Sequence, residues 1–420
     1  MAALLRNATF RRLYAAQVVS LLGTGLLTVA LGLVAYDLAG GEAGQVLGIA
    51  LAIKMVAYVV MGPVMHAACV RAPTVVVLVG ADVIRCAAVM VMPWVGEVWQ
   101  IYLLVFVMQT ASAAFTPTFQ AVIPRVVPAQ DDYTRAISAS RIAYDLEAVA
   151  SPLVAAALLT VVDHSVLFLG TALGFAASGV LVLRANRRST NLARSADTRL
   201  RFVDRMTDGT RIMVSRPVFQ GLLGANLVSA AATALVLVGS VLYVRSTLAM
   251  SAAALAVALA VFGAGSIVAA VVLPALLRRY SASALLTAGG VVCVVGLAAA
   301  TAALAQSLPF ILLCVAWFAL GAGTGVVNTA APRLIRDHTD ESTRDSVFAA
   351  QFSASHCAFL LTYPLTGLLV AVGWSAPVVL GGLAVVGTLV SACRRPVRAT
   401  ARSDRGHAGS PTMSNEAIPG

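Results

Sequence analysis

The sequence predicts an all-α membrane protein with twelve transmembrane helices in two pseudo-symmetric six-helix bundles. Three observations predict this fold: the composition, a series of span-length apolar runs, and an internal repeat. Of the 420 residues, 60% are hydrophobic and only 11% are charged, whereas soluble domains carry about 25% charged residues. A soluble fold of this size could not bury so much apolar surface, so the composition indicates a lipid environment.

Twelve runs of mostly apolar residues are long enough to cross a bilayer, which takes about 20 residues. The fifth and eleventh are the least apolar. The predicted spans are 13–36, 44–67, 74–95, 99–122, 135–160, 165–184, 217–243, 250–276, 283–304, 309–330, 346–371 and 375–393. They divide the chain into an N-terminal bundle (1–184), a cytoplasmic central loop (185–216), a C-terminal bundle (217–393) and a polar, disordered cytoplasmic tail (394–420).

The arginines predict the orientation, because basic residues concentrate in cytoplasmic loops. With the N-terminus inside, Arg245 is the one arginine assigned to an outer loop, and the Arg-rich stretch 184–216 lies inside. The reverse orientation would place nearly every arginine outside. We therefore expect a multi-pass protein of the inner (plasma) membrane with both termini in the cytoplasm.

An internal repeat relates the two halves. Pro124-Arg125, Thr134-Arg135 and Pro152-Leu153 recur in the same order as Pro332-Arg333, Thr343-Arg344 and Pro364-Leu365, at offsets of 208, 209 and 212 residues. Matching dipeptides at matching span positions indicate two parallel six-helix halves. Transporters with this architecture bind their substrates between the halves, near the middle of the membrane.

The sequence also excludes several function classes. The net charge of +11 does not indicate nucleic-acid binding, because the charges lie in short clusters between apolar runs. Lys54 is the only lysine, so the chain has no Walker A loop to bind ATP. It has neither a Ser-His-Asp pattern nor HExxH. We therefore expect that the protein is not an enzyme, that it binds no cofactor, and that an ion gradient drives its transport.

Charged residues inside spans need a reason, because each costs at least about 2.5–3.5 kcal/mol to insert. Lys54 lies near the middle of the second span. It is interpreted either as a charge that couples transport to an ion or as one member of a structural ion pair. Asp145 and Glu147 lie mid-way along the fifth span. Two residues apart on a helix, they diverge by about 200°. We expect at least one of them to bind a proton or a cation.

Two further pairs fall within spans. Asp82 and Arg85 share one face of the third span, which favours a structural ion pair. His356 and Cys357 lie near the middle of the eleventh span, opposite Tyr144 and Asp145 in the repeat. His356 is either a metal-binding or titrating group or a packing residue.

Residues 7–183 resemble the major facilitator superfamily, in the branch of drug and siderophore exporters. The resemblance lies in Phe10-Arg11-Arg12-Leu13, Ala81-Asp82-Val83-Ile84-Arg85 and Ala114-Phe115-Thr116-Pro117. Within that branch, Ala52-Ile53-Lys54-Met55 and Tyr144-Asp145-Leu146-Glu147 are similar to nickel-resistance exporters. The resemblance implies nickel or cobalt as substrate, with Asp145, Glu147 and His356 as its ligands.

One departure from that family concerns the inner gate. The loop after the second span usually carries an Asp, an Arg and further basic residues that latch it. Here the Asp position is Val70, Arg71 is kept, and the following basic positions are Thr74, Val75 and Val76. We therefore expect a weakened latch at Arg71.

These observations leave three hypotheses. The first is a proton-coupled exporter of a divalent metal, with Asp145, Glu147 and His356 as substrate or proton ligands and Lys54 as the coupling charge. The second keeps the transporter but exchanges the metal for an amphipathic drug or macrolide. The third, which the eroded gate loop suggests, is a membrane sensor or assembly factor that does not transport.

Overall fold

The computed structural model describes residues 2–161, 163–186, 201–241, 243–244, 248–306, 309–371 and 375–394. Throughout these residues the regular secondary structure is helical. The helices are α1 (Ala2–Arg6), α2 (Ala8–Ala39), α3 (Ala43–Cys69), α4 (Thr74–Val91), α5 (Val98–Val126), α6 (Gln130–Leu159), α7 (His164–Asn186), α8 (Phe202–Ser215), α9 (Pro217–Ala234), α10 (Ala252–Leu276), α11 (Ala282–Ala305), α12 (Phe310–Asp337), α13 (Glu341–Ala371) and α14 (Ala376–Cys393).

Twelve of the described helices have 18 or more residues, and each coincides with one predicted span. Ten of them are both long and apolar enough to cross a membrane, and α6 is an eleventh if its two parts are counted as one span. The parts, Gln130–Ala148 and Leu153–Leu159, meet at 45°. The bend falls next to Pro152, whose nitrogen cannot donate the helical hydrogen bond. Helices α6 and α13 are the fifth and eleventh predicted spans, the least apolar ones.

The helices form two bundles. Helices α2–α7 pack around two apolar cores, one containing Leu13, Phe119 and Tyr133 and the other containing Leu27, Met108 and Phe168. Helices α9–α14 pack around Trp317 and Leu320 in one core and Phe219 and Phe348 in another. The bundles meet through α3 against α13, α6 against α10, and α5 against α13.

Small residues let helices of the second bundle approach closely. A Cβ added at Gly321 of α12 would overlap the backbone carbonyl of Phe262 in α10, and one at Gly325 would lie 2.8 Å from the Ser266 backbone. Helices in a membrane gain affinity from such close backbone contact, since lipid supplies no hydrophobic force between them. This packing fixes Ser266 against α12, and Ser266 faces the first bundle.

One element differs from the sequence-based expectation. The stretch 185–216 is predicted as a loop, but its final part is the helix α8, which packs on α3 and α13. Gly209 and Met213 are its buried residues, whereas the apolar Phe202, Val203 and Val214 are exposed. Polar and apolar residues that alternate at helical spacing form a surface helix rather than a span. Helix α8 therefore contains no long apolar run that would predict it.

Candidate functional site

The charged side chains of α6 point in two directions. Asp145 lies toward α10 of the second bundle, where the Ser266 hydroxyl donates to its Oδ2 at 2.6 Å. Glu147 lies on the side of α2, where a Cβ at Gly25 would come within 2.5 Å of its Oε1. This divergence follows from the 100° turn per residue of an α-helix. The two carboxylates therefore belong to different surroundings.

Asp145 is the centre of a polar contact between the bundles. Arg141, one turn earlier on α6, places Nη2 2.6 Å from Asp145 Oδ1 and Nε 3.1 Å from Oδ2. The same Nε lies 3.1 Å from the hydroxyl of Ser266. The carboxylate, the guanidinium and the serine thus form a closed triangle. Asp145 is 7% exposed and Ser266 is fully buried, so the ion pair is held in a low-dielectric setting.

Glu147 is associated with Lys54 of α3. The two charges attract each other, and the Ser151 hydroxyl lies 3.5 Å from Glu147 Oε1. The Lys54 ammonium also lies 5.8 Å from the centre of the Tyr58 ring, within range of a cation–π contact. Both groups belong to the first bundle, so this pair, unlike Asp145, does not join the halves.

His356 lies across the interface from α3, in an aromatic cluster. Its ring meets the Tyr58 ring edge-on at 4.6 Å and lies 4.4 Å from the Phe352 ring. Its Nδ1 donates to the Phe352 carbonyl at 2.7 Å. The Ser353 hydroxyl donates to the Tyr58 carbonyl at 3.2 Å, so Tyr58 contacts α13 through both ring and backbone.

The three predicted metal ligands are not brought together. Asp145 is bonded to Arg141 and Ser266, Glu147 is associated with Lys54, and His356 is surrounded by aromatic rings. Among the residues that the structure describes, no group of three or more His, Cys, Asp or Glu side chains could hold a metal ion.

Asp82 and Arg85 form an ion pair within α4, and both are buried. The Arg85 guanidinium lies between two aromatic rings, 4.4 Å from the centre of Phe115 and 4.5 Å from that of Phe175. Stacking on two rings suits the flat, weakly hydrated guanidinium. The pair therefore lies where α4 packs on α5 and α7, inside the first bundle.

The bundles are latched at one end, which we call the arginine-rich end: the end where α2 begins and α14 ends. Arg125, at the end of α5, places Nη2 2.6 Å from Asp345 Oδ1 in α13 and Nε 3.7 Å from Glu341 Oε1. Both members of the Arg125–Asp345 pair are buried, each with 5% of its side chain exposed. A buried ion pair of this kind leaves a costly unpaired charge if one partner is removed.

The second half contributes a matching set of contacts. Arg333 of α12 donates from Nη1 to the Gln130 carbonyl at 3.1 Å and to the Thr134 hydroxyl. Arg336 donates to the Pro128 carbonyl and lies 4.5 Å from the centre of the Tyr133 ring. Because the repeat relates Arg125 to Arg333, the arginine at this repeated position in each bundle reaches the start of the other bundle's fifth helix.

The sequence predicted a weakened latch at Arg71, in the loop after the second span. Arg71 is exposed in the turn between α3 and α4, whereas the buried contacts come from Arg125, Arg333 and Arg336. The repeat itself contained the signal, since it singles out both Pro-Arg pairs. Arg141 was also missed, although its i, i+4 spacing to Asp145 is the usual spacing of a helical ion pair.

The fold is shared with solved transporters. The structure matches a bacterial homologue of the iron transporter ferroportin in its outward-facing state, with a TM-score of 0.74 at 13% identity over 92% of this chain and 99% of the other. It also matches the human organic anion transporter MFSD10, with a TM-score of 0.74 at 10% identity over 91% and 99% of the two chains. At these identities the likeness shows the fold alone.

A sequence relative is macrolide efflux protein A of Streptococcus pyogenes, 27% identical over 178 residues. The alignment covers 41% of this chain and spans only 43% of that protein's length.

The sequence model of the Major Facilitator Superfamily matches residues 13–305 and, a second time, 222–414. The two matches begin 209 residues apart, the same separation as the repeated Thr-Arg pair. The chain belongs to the Major Facilitator Superfamily, whose members are membrane transporters and not enzymes.

Proposed function

We propose that this transporter exports a small amphipathic organic compound in exchange for protons, with Asp145 as the group that carries the proton. One observation carries the proposal. Asp145 is bonded at the same time to Arg141 in its own bundle and to Ser266 in the other. Any change in its charge therefore acts directly on a contact between the two moving halves.

The coupling follows from the bonds that a carboxylate can make. Ionised Asp145 accepts from both Arg141 and Ser266, which holds α6 against α10. A proton on Asp145 removes the charge that attracts the guanidinium and turns one oxygen into a donor. The protonated form thus favours a different arrangement of the bundles, and a ligand shifts a conformational equilibrium only through such a difference.

The direction of transport depends on the orientation. Basic residues favour the cytoplasm, so we assign the arginine-rich end, with both termini, to the cytoplasmic side of the plasma membrane. The contacts of Arg125, Arg333 and Arg336 then close the cytoplasmic side of the interface. In alternating access, this conformation is the one that releases substrate outward.

An organic substrate is favoured by the surroundings of Tyr58. Its ring packs with those of Phe352 and His356 in an aromatic cluster where the bundles meet. The Lys54 ammonium lies over the Tyr58 ring, and Glu147 interacts electrostatically with Lys54. An apolar molecule with one charge finds both a stacking partner and an opposite charge there. The partial likeness to a macrolide efflux protein supports an organic substrate as well.

A divalent metal, the substrate implied by the resemblance to nickel exporters, ranks second. Such an ion would need Asp145, Glu147 and His356 to converge, and in this conformation Asp145 is held by Arg141 while Glu147 lies beside Ser151 on the side of α2. The organic substrate requires no such rearrangement of ligands.

Accumulation in cells tests the proposal. The protein is expressed in a bacterial host that lacks its own multidrug and metal exporters, and uptake of radiolabelled erythromycin and of radioactive nickel is followed side by side. We expect lower macrolide accumulation with the wild type than with Asp145→Asn. Asp131→Asn is the matched control, because Asp131 is an exposed carboxylate at the start of the same helix.

The outcomes separate the hypotheses. If nickel accumulation falls and macrolide accumulation does not, the substrate is a metal. If neither falls while the protein is present in the membrane, the protein is no exporter of these classes, and the role of a non-transporting sensor gains support.

A further inference from the structure

A groove lies beside the contact of α8 with α3, lined by residues of both helices. Its volume is about 420 Å³, within the range of small-ligand sites. The side chains that define it are Val60 and Val64 of α3, and Met206, Thr210, Arg211 and Val214 of α8.

The groove begins among residues that face lipid. Val60 is 53% exposed, and Val56, one turn further into the bilayer, is also exposed. Val64 and Val60 lie 5 and 9 residues before the end of α3 at Cys69, roughly 8 and 14 Å along the helix. An apolar stripe therefore runs from the membrane interior along α3 into the groove.

The opposite wall ends in polar and cationic groups. Arg211 and Thr210 are exposed on α8 beside the apolar Val214. Arg205 lies on the same short helix, and Arg201 directly precedes it. The groove thus combines apolar side chains of α3 and α8 with a guanidinium and a hydroxyl of α8, the two kinds of group that a lipid needs for its acyl chain and its phosphate.

Helix α8 is fixed in this position by its other face. Gly209 packs so closely on α13 that a Cβ there would overlap the Ser346 carbonyl. The Ser346 hydroxyl donates to Asp208 Oδ2 at 3.1 Å, and Met213 is buried at 1% exposure. An amphipathic helix bound at the level of the span ends lies where lipid headgroups are found.

We infer that the groove between α3 and α8 binds an anionic phospholipid of the surrounding leaflet, with one acyl chain along Val60 and Val64 and the headgroup phosphate on Arg211. Arginine binds phosphate through two parallel hydrogen bonds. A peptide is a poor occupant, because its backbone groups would stay unpaired on the lipid-facing side. The inference does not depend on which substrate the protein transports.

Lipid binding to the purified full-length protein tests the inference. Native mass spectrometry with dioleoyl phosphatidylglycerol and dioleoyl phosphatidylcholine gives the affinity for each lipid. We expect phosphatidylglycerol to bind more tightly, and Arg211→Gln to reduce that preference about fivefold, the effect of one basic residue near an anionic headgroup.

Two further variants complete the experiment. Arg201→Gln removes the arginine that directly precedes α8 and lies outside the groove, so it should leave the preference unchanged. Val60→Trp fills the groove from its lipid-facing side and should weaken the binding of both lipids. It should not unfold the protein, because Val60 is not part of the core. Equal binding of both lipids to the wild type, or an equal loss with Arg201→Gln and Arg211→Gln, would overturn the inference. Lipid binding that Val60→Trp does not weaken would overturn it too.

Discussion

Arg125 and Asp345 form a buried ion pair across the two bundles, 220 residues apart in the chain, with 2.6 Å between Nη2 and Oδ1. Arg333, which the repeat relates to Arg125, reaches from the second bundle to Thr134 of the first. The two halves are therefore joined at the arginine-rich end by a pair of exchanged arginines. These contacts join the bundles in a chain whose gate loop, after the second span, keeps only Arg71 of the expected latch residues.

Removing one partner of this latch should open it. Asp345→Asn leaves Arg125 buried with less opposing charge, and breaking a buried pair costs about 3–5 kcal/mol in the conformation that contains it. We expect spin labels at Asp131 and Ser342, both exposed at the arginine-rich end, to move apart in a cysteine-free background. Pulsed electron resonance measures the distance distribution.

The double variant is the control for that experiment. Arg125→Gln with Asp345→Asn removes both charges. The double variant should therefore destabilise the closed conformation by less than the sum of the two single changes. Asp340→Asn, an exposed carboxylate at the same end, should leave the distances as they are. An unchanged distribution in Asp345→Asn would show that the ion pair does not hold the bundles closed.

The ion pair inside α4 should matter for stability rather than for opening. Asp82→Asn leaves the Arg85 guanidinium between Phe115 and Phe175 without its carboxylate, at a cost of about 3–5 kcal/mol. We expect a clear fall in the midpoint of thermal unfolding in detergent. Replacing both residues, as Asp82→Leu with Arg85→Met, should restore much of the loss, and a double variant that is less stable than Asp82→Asn would contradict this role.

The close contact of α10 and α12 predicts a third effect. Gly321→Ala places a methyl group against the Phe262 carbonyl, and overpacking of this kind costs about 1–3 kcal/mol. Gly382→Ala is the matched control, because no atom lies within 4 Å of a Cβ at that helical position. Thermal unfolding of both variants checks the prediction, which fails if the two midpoints fall equally.

Much of the fold could be predicted from the sequence, because lipid imposes simple rules. Span length and composition set the positions of α2–α7 and α9–α14, and all twelve coincide with predicted spans. The repeat anticipated the matching positions of Arg125 and Arg333. Helix α8 escaped prediction, because its short polar-apolar pattern has no membrane-spanning length.

The candidate site was harder to predict, since its contacts are distant in sequence. The divergence of Asp145 and Glu147 followed from helix geometry alone. By contrast, nothing in the sequence shows that Ser266, 121 residues away, bonds to Asp145, or that His356 packs on Tyr58. Arg141 was within reach of local reasoning, but in a span with several polar residues its pairing did not stand out.

Transport into proteoliposomes under an imposed pH gradient shows whether Asp145 carries the coupling proton. Wild-type protein, Asp145→Asn and the control Asp131→Asn are reconstituted, and uptake of a labelled macrolide is measured with and without the gradient. We expect the gradient to accelerate uptake by the wild type and by Asp131→Asn, and Asp145→Asn to show no acceleration. Gradient-driven uptake by Asp145→Asn at the wild-type rate would exclude Asp145 as the proton carrier.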